Sequence, residues 1–153
     1  MSQHAELRDL YQQVIMDHNK SPRHFHEMTD ADHIGHGNNP LCGDTIIVYL
    51  KVRHEVIEEV SFQGSGCAIS MASASLMTEA LKGKNVKEAI ELYRAVHAEL
   101  TGESENQTTQ DLGKLNVLSG VREFPARVKC ATLAWHTVES ILTDPNDTDV
   151  TTE

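Results

Sequence analysis

Three cysteines, Cys42, Cys67 and Cys130, and an aspartate two residues past the first of them are the side chains of this chain best suited to chemistry. Cys42 and Asp44 share the stretch "NPLCGD", where Gly43 permits a bend that lets thiol and carboxylate converge on one point. Cys67 follows Gly64-Ser65-Gly66, where a β-branched and aromatic run gives way to small residues at helical spacing. A helix starting there turns its free N–H groups and positive dipole end toward the sulfur, which favours thiolate. Cys130 lies in the first turns of a third segment, on the margin of its apolar stripe, facing a rim shared by core and solvent. Arg127, one turn earlier on roughly the same side, can hold a cation over that rim, whereas Lys129 points nearly opposite the stripe.

Three thiolates and one carboxylate make four ligands, the number tetrahedral zinc prefers. Free cysteines also serve as small buried hydrophobes, and the spacing here matches no Cys-x-x-Cys finger. On the residues alone, metal site and inert core both stay open. His24, His26, His33 and His36 form a rival metal cluster, with a solvated polar loop as the plainer account. Ser65, Ser70, Ser73 and Ser75 raise a hydrolase, but no His and Asp partner can be assigned to them.

The elements that must position these groups follow from periodicity. Leu7, Leu10, Tyr11, Val14 and His18 mark an amphipathic helix over about residues 5–19, stopped by Ser21-Pro22. Residues 23–40 show no period and read as a loop. Thr45–Val52 and Ile57–Phe62 read as antiparallel strands, two or three in all. "CAISMASASLMTEALKG" predicts a helix ending at Gly83, and "NVKEAIELYRAVHAEL" one capped by Asn85. Residues 101–120 suggest a loop or insertion followed by a helical turn. A last helix starts at Pro125, with Val128, Ala131, Ala134, Trp135, Val138, Ile141 and Leu142 along one face. Strands early and helices later predict an α+β fold, a small antiparallel sheet of about three strands with helices packed on one side.

The 153 residues suit a single domain, 1–153, with a disordered acidic tail from about residue 144. A formal net charge of −10 would repel a phosphate backbone, so nucleic acid is not an expected partner. No apolar run approaches the roughly 20 residues of a membrane span, and no signal segment opens the chain. The expected location is the cytoplasm, with thiols kept reduced.

"LYQQVIMDHNKSPRHF", "NPLCGD", "FQGSGCAIS" and "ARVKCATLAWHTVESI", in that order, resemble the IscU-like iron–sulfur cluster assembly family, and within it the SufU-type branch. The likeness runs from Leu10 to Leu142. Two features choose the branch: Lys129 stands where the scaffold proteins of the family carry a histidine, and the polar stretch near 101–120 lengthens the gap between the second and third cysteines.

The resemblance implies one zinc ion held by Cys42, Asp44, Cys67 and Cys130. It implies a sulfurtransferase whose Cys42 accepts persulfide sulfur from a SufS-type pyridoxal-phosphate cysteine desulfurase and stimulates that enzyme's turnover. A histidine of the desulfurase would take a place on zinc to free Cys42, and the sulfur would pass to downstream iron–sulfur assembly proteins. Arg127 resembles the arginine the branch keeps beside its third cysteine. The alternative within the family is an IscU-like scaffold that assembles a [2Fe–2S] cluster on the three cysteines, with iron in place of zinc. Lys129 speaks against it.

Overall fold

The structure is a computed structural model and describes residues 3–40, 43–101, 125–143 and 149–151. Its elements run α1 (Gln3–Lys20), β1 (His33–Asn39), β2 (Asp44–Arg53), β3 (Val56–Ser65), α2 (Ala68–Leu81), α3 (Val86–Thr101), α4 (Pro125–Thr143) and β4 (Asp149–Thr151). The sheet order is β3-β2-β1-β4, antiparallel through the first three strands and parallel between β1 and β4. The expected α+β class, with its antiparallel sheet of three strands, is therefore what forms.

β2 alternates as a half-buried strand should, with Asp44, Ile46, Val48 and Leu50 turned inward. In β3, Ile57 and Val60 are three residues apart, yet both join the core. A bulge makes this possible: Lys51 pairs with Glu59 and Val52 with Ile57, leaving Glu58 as the extra residue. His54 and Glu55 both have positive φ, the backbone a two-residue hairpin asks for between right-twisted strands.

β1 corrects the expectation of a loop over residues 23–40. Its inward positions are Gly35, Gly37 and Asn39, which carry no β-branched or aromatic signal. The two glycines are small because α4 lies directly on them: a Cβ at Gly35 would stand 2.5 Å from Ile141 Cδ1, and one at Gly37 would run into Thr137 Oγ1 and stand 3.1 Å from Leu133 Cδ1. β4 is a second correction, since three residues of the expected solvated tail pair with His36–Asn38. The reading of residues 101–120 lies outside the described residues, except for Thr101, which ends α3.

α2 and α4 cover the inward face of the sheet, α3 packs on α4 and α1 on α2. The shared core includes Val48, Leu50, Phe62, Leu76, Met77, Leu133, Trp135 and Ile141. α2 and α4 approach closely through small residues: Ser73 Oγ donates to the Ala131 carbonyl at 2.6 Å and accepts Trp135 Nε1–H at 3.1 Å. α3 opens with a capping box in which Asn85 Oδ1 accepts from Glu88 N at 2.7 Å and Glu88 Oε1 accepts from Asn85 N at 3.1 Å. α1 is tied to α2 by His18 Nδ1 and Ser75 Oγ, 2.7 Å apart, and Ser75 Oγ also accepts the Arg23 N–H at 2.8 Å.

Candidate metal centre

The three cysteine-bearing segments are positioned by three different devices. Gly43 adopts φ +71°, a left-handed backbone that glycine takes readily, and delivers the chain into β2 with Asp44 as its first residue. Cys67 is the N-cap of α2, in extended backbone, and its Sγ accepts the Ser70 N–H at 3.4 Å. The expected helix start beneath this thiol is thus observed. Cys130 lies in the second turn of α4, where its Sγ donates to the Ala126 carbonyl at 3.6 Å.

One expectation fails here. Cys130 is not on a rim open to solvent but is 0 % exposed. α4 is covered by β1 on one side and by α2 and α3 on others, so its buried surface is wider than one stripe, and Leu133 and Thr137 are enclosed as well.

Asp44, Cys67 and Cys130 nevertheless meet. Their ligand atoms all lie within 4.8 Å of one another. Ligands of a tetrahedral zinc ion, at about 2.0–2.3 Å from the metal, stand roughly 3.5 Å apart, so this spacing needs only a small contraction. Cys42 lies outside the described residues.

The Asp44 carboxylate is fully buried and accepts two N–H groups, Oδ1 from Cys67 N at 2.8 Å and Oδ2 from Asn39 Nδ2 at 3.2 Å. Gly66 is pressed against it: a Cβ there would fall 2.5 Å from Asp44 Oδ1. The ion pairs among the described residues, His18–Glu79, Arg23–Asp17, Lys51–Asp30 and Arg53–Glu58, leave Asp44 out. A buried carboxylate beside two thiols, supported by hydrogen-bond donors, is costly unless a cation joins it. Two sulfurs and one carboxylate oxygen are a donor set suited to zinc, and the residues present fit such an ion.

Nothing in the residue pattern alone singles out Asn39. It closes β1, pairs in register with Asp44, and is 0 % exposed. Its Nδ2 reaches the Asp44 carboxylate and also Cys130 Sγ, at 3.5 Å.

The rival groups are not assembled. His33 and His36 lie in β1, His26 is exposed and bonds the Glu27 carbonyl at 3.0 Å, and His24 Nδ1 contacts Thr78 Oγ1 at 2.9 Å. Among the described residues none of them joins a group of three metal-ligating side chains. Ser75 does meet a histidine, His18, whose Nε2 lies 3.5 Å from Glu79 Oε1, but Ser75 is fully buried and has no surface to offer a substrate.

The family described as "NifU-like N terminal domain" matches residues 10–131. The chain belongs to that family. Among its relatives, the zinc-dependent sulfurtransferase SufU of Bacillus subtilis is 44 % identical over 91 % of this chain and 93 % of its own length. The iron–sulfur cluster assembly scaffold protein IscU of Streptococcus pyogenes is 40 % identical over 90 % of this chain and 86 % of its own. The crystal structure of FiSufU, from Fervidobacterium islandicum, superposes with a TM-score of 0.80 at 32 % identity, covering 86 % of this chain and 95 % of that one. Likeness to NifU-like and SufU proteins thus spans the sheet, the helices and all three elements that bring Asp44, Cys67 and Cys130 together. No helix among the described residues is long and apolar enough to cross a membrane.

Proposed function

We propose that this NifU-like chain is a zinc-dependent sulfurtransferase of iron–sulfur cluster assembly, working with a SufS-type pyridoxal-phosphate cysteine desulfurase. The observation that carries the reading is the convergence of Asp44, Cys67 and Cys130 from three elements onto one point. The 44 % identity to a zinc-dependent SufU supports it.

In this reading Cys42, Asp44, Cys67 and Cys130 hold the metal, which when bound keeps thiols ionised at neutral pH. Cys42 is the acceptor, because the residue that follows it, Gly43, takes the left-handed backbone of a bend while Cys67 is fixed as a helix cap and Cys130 is enclosed in the core. The Cys42 thiolate attacks the outer sulfur of the desulfurase persulfide. A sulfur–sulfur bond forms on Cys42 as the one on the desulfurase breaks, and the desulfurase cysteine leaves as thiolate, so no oxidant is consumed. Asp44, Cys67 and Cys130 keep the site assembled while Cys42 is engaged. Downstream iron–sulfur assembly proteins take the sulfur onward.

A second reading, a scaffold that builds a [2Fe–2S] cluster on the three cysteines, is favoured by the 40 % identity to IscU of Streptococcus pyogenes. Desulfurase turnover is measured with the wild-type chain, without it and with Cys42→Ala, alongside metal analysis and an absorption spectrum of freshly purified protein. A colourless zinc protein that stimulates turnover through Cys42 supports the carrier. A brown iron protein whose effect on turnover survives Cys42→Ala supports the scaffold.

A further inference from the structure

We infer that Asn39 is a positioning residue of the metal centre, holding Asp44 and Cys130 in register through one amide group. The inference rests on the metal-centre reading above and concerns a side chain outside the ligand set.

Asn39 and Asp44 are cross-strand partners, so their side chains leave the sheet on the same face. Asn39 Nδ2 has two hydrogens and spends them on two candidate ligands from different elements, Asp44 Oδ2 at 3.2 Å and Cys130 Sγ at 3.5 Å. The orientation of the amide is set by chemistry: a carboxylate only accepts, and the Cys130 S–H already points to the Ala126 carbonyl, so the NH₂ end must face both. The opposite end is the telling one. Among the described residues Asn39 Oδ1 is buried and has no hydrogen-bond partner. Leaving that acceptor unpaired costs about 1–3 kcal/mol, a cost the amide bears while its NH₂ end serves two candidate ligands. What the position gains is a bridge.

Asp44 Oδ1 is occupied by the Cys67 N–H at 2.8 Å, so the carboxylate is oriented from both sides, by α2 and by β1. The same Asn39 amide that orients Asp44 donates to the sulfur of α4. Three ligands on three elements are thereby tied into one hydrogen-bonded chain, Cys67 to Asp44 to Asn39 to Cys130. Such donors fix the direction of a ligand and temper its charge, and removing one typically weakens metal binding by roughly 10–100-fold.

The test titrates metal-free wild-type protein, Asn39→Leu and Asn39→Ser with Co²⁺ and Zn²⁺ against a competing chelator, following the thiolate-to-cobalt charge-transfer band. Wild-type protein that takes up neither ion refutes the metal centre itself and is thereby distinguished from failure at Asn39. With one ion bound to the wild type, the leucine variant is expected to bind roughly 10–100-fold more weakly. Its charge-transfer band is expected to move to longer wavelength, since a sulfur that loses an N–H donor gives up its electrons more readily. Affinity within twofold of wild type, or weakened affinity with an unmoved band, overturns the assignment. Should Asn39→Leu fail to fold, Asn39→Ser, too short to span both acceptors, is judged by the same two criteria.

Discussion

The carboxylate of Asp44 accepts the backbone N–H of Cys67 at 2.8 Å, so the first residue of a strand and the cap of a helix are bonded to each other through protein atoms alone. Gly66 allows this approach, since a Cβ there would stand 2.5 Å from Asp44 Oδ1. Part of the candidate centre is thus held by a bond between side chain and backbone.

Gly66→Ala is expected to displace the carboxylate and break its bond to Cys67. The overpacking should cost about 1–3 kcal/mol of stability, with metal affinity falling at least about tenfold. Chelator competition and chemical denaturation on one preparation check both; unchanged zinc affinity would show that Asp44 is not a ligand.

Removing the metal should lower stability without abolishing the fold, because the core around Leu50, Phe62 and Trp135 does not depend on the ligands. Zinc at about 1,000 times its Kd adds about 4 kcal/mol, which for a chain of this size is roughly 10 °C in Tm. Thermal melts with chelator and with added zinc supply the measurement, and coincident curves would contradict the prediction.

Ser75→Ala tests the buried contact between α1 and α2. His18 Nδ1 and the Arg23 N–H would both lose the Ser75 hydroxyl, at an expected cost of about 1–3 kcal/mol. Zinc affinity and desulfurase stimulation should stay at wild-type values. A loss of stimulation without a loss of stability would return Ser75 to the list of chemical groups.

Acid should weaken the fold through two histidines. Burial, then the neighbouring His97, holds His136 below its ordinary value of 6.5, with Glu139 opposing; its Nδ1 lies 3.0 Å from the Tyr93 hydroxyl. Burial, then Lys82, does the same to His24. The unfolded chain then takes up protons that the folded chain refuses. Stability is unaffected by these groups well above pH 6.5 and falls as pH drops through 6.5 toward the lowered folded values. Urea midpoints of metal-free protein at about pH 7.5 and 5.5 should show this loss, and His136→Phe should reduce it. An unaltered slope in the variant would refute the assignment to His136.

What the sequence disclosed, and what it hid, divides along a physical line. Cys67 was legible as a helix start because Gly64 and Gly66 precede it and small residues at helical spacing follow, all local signals. Gly43 was legible for the same reason. β1 was not, since Gly35, Gly37, His33 and His36 have no strand preference of their own, and their extended form is imposed by β2 and α4. Helical periodicity sees one stripe and so puts Cys130 on a rim, whereas α4 is enclosed by β1, α2 and α3. Asn39 lies among glycine, asparagine and proline, at the end of the stretch that reads as a loop. Its role exists only once the β1–β2 register sets it opposite Asp44.

Two missing side chains govern how α4 rests on the sheet. At Gly35 and Gly37 the helix rides almost on bare backbone, with Ile141 and Thr137 seated where a Cβ would be. Cys130 is two turns from Thr137 along the same rigid rod, about 10 Å away. A methyl group added at Gly37 would lever the far end of that rod and carry a sulfur off its mark, so harm to the centre can originate at a glycine that never touches it.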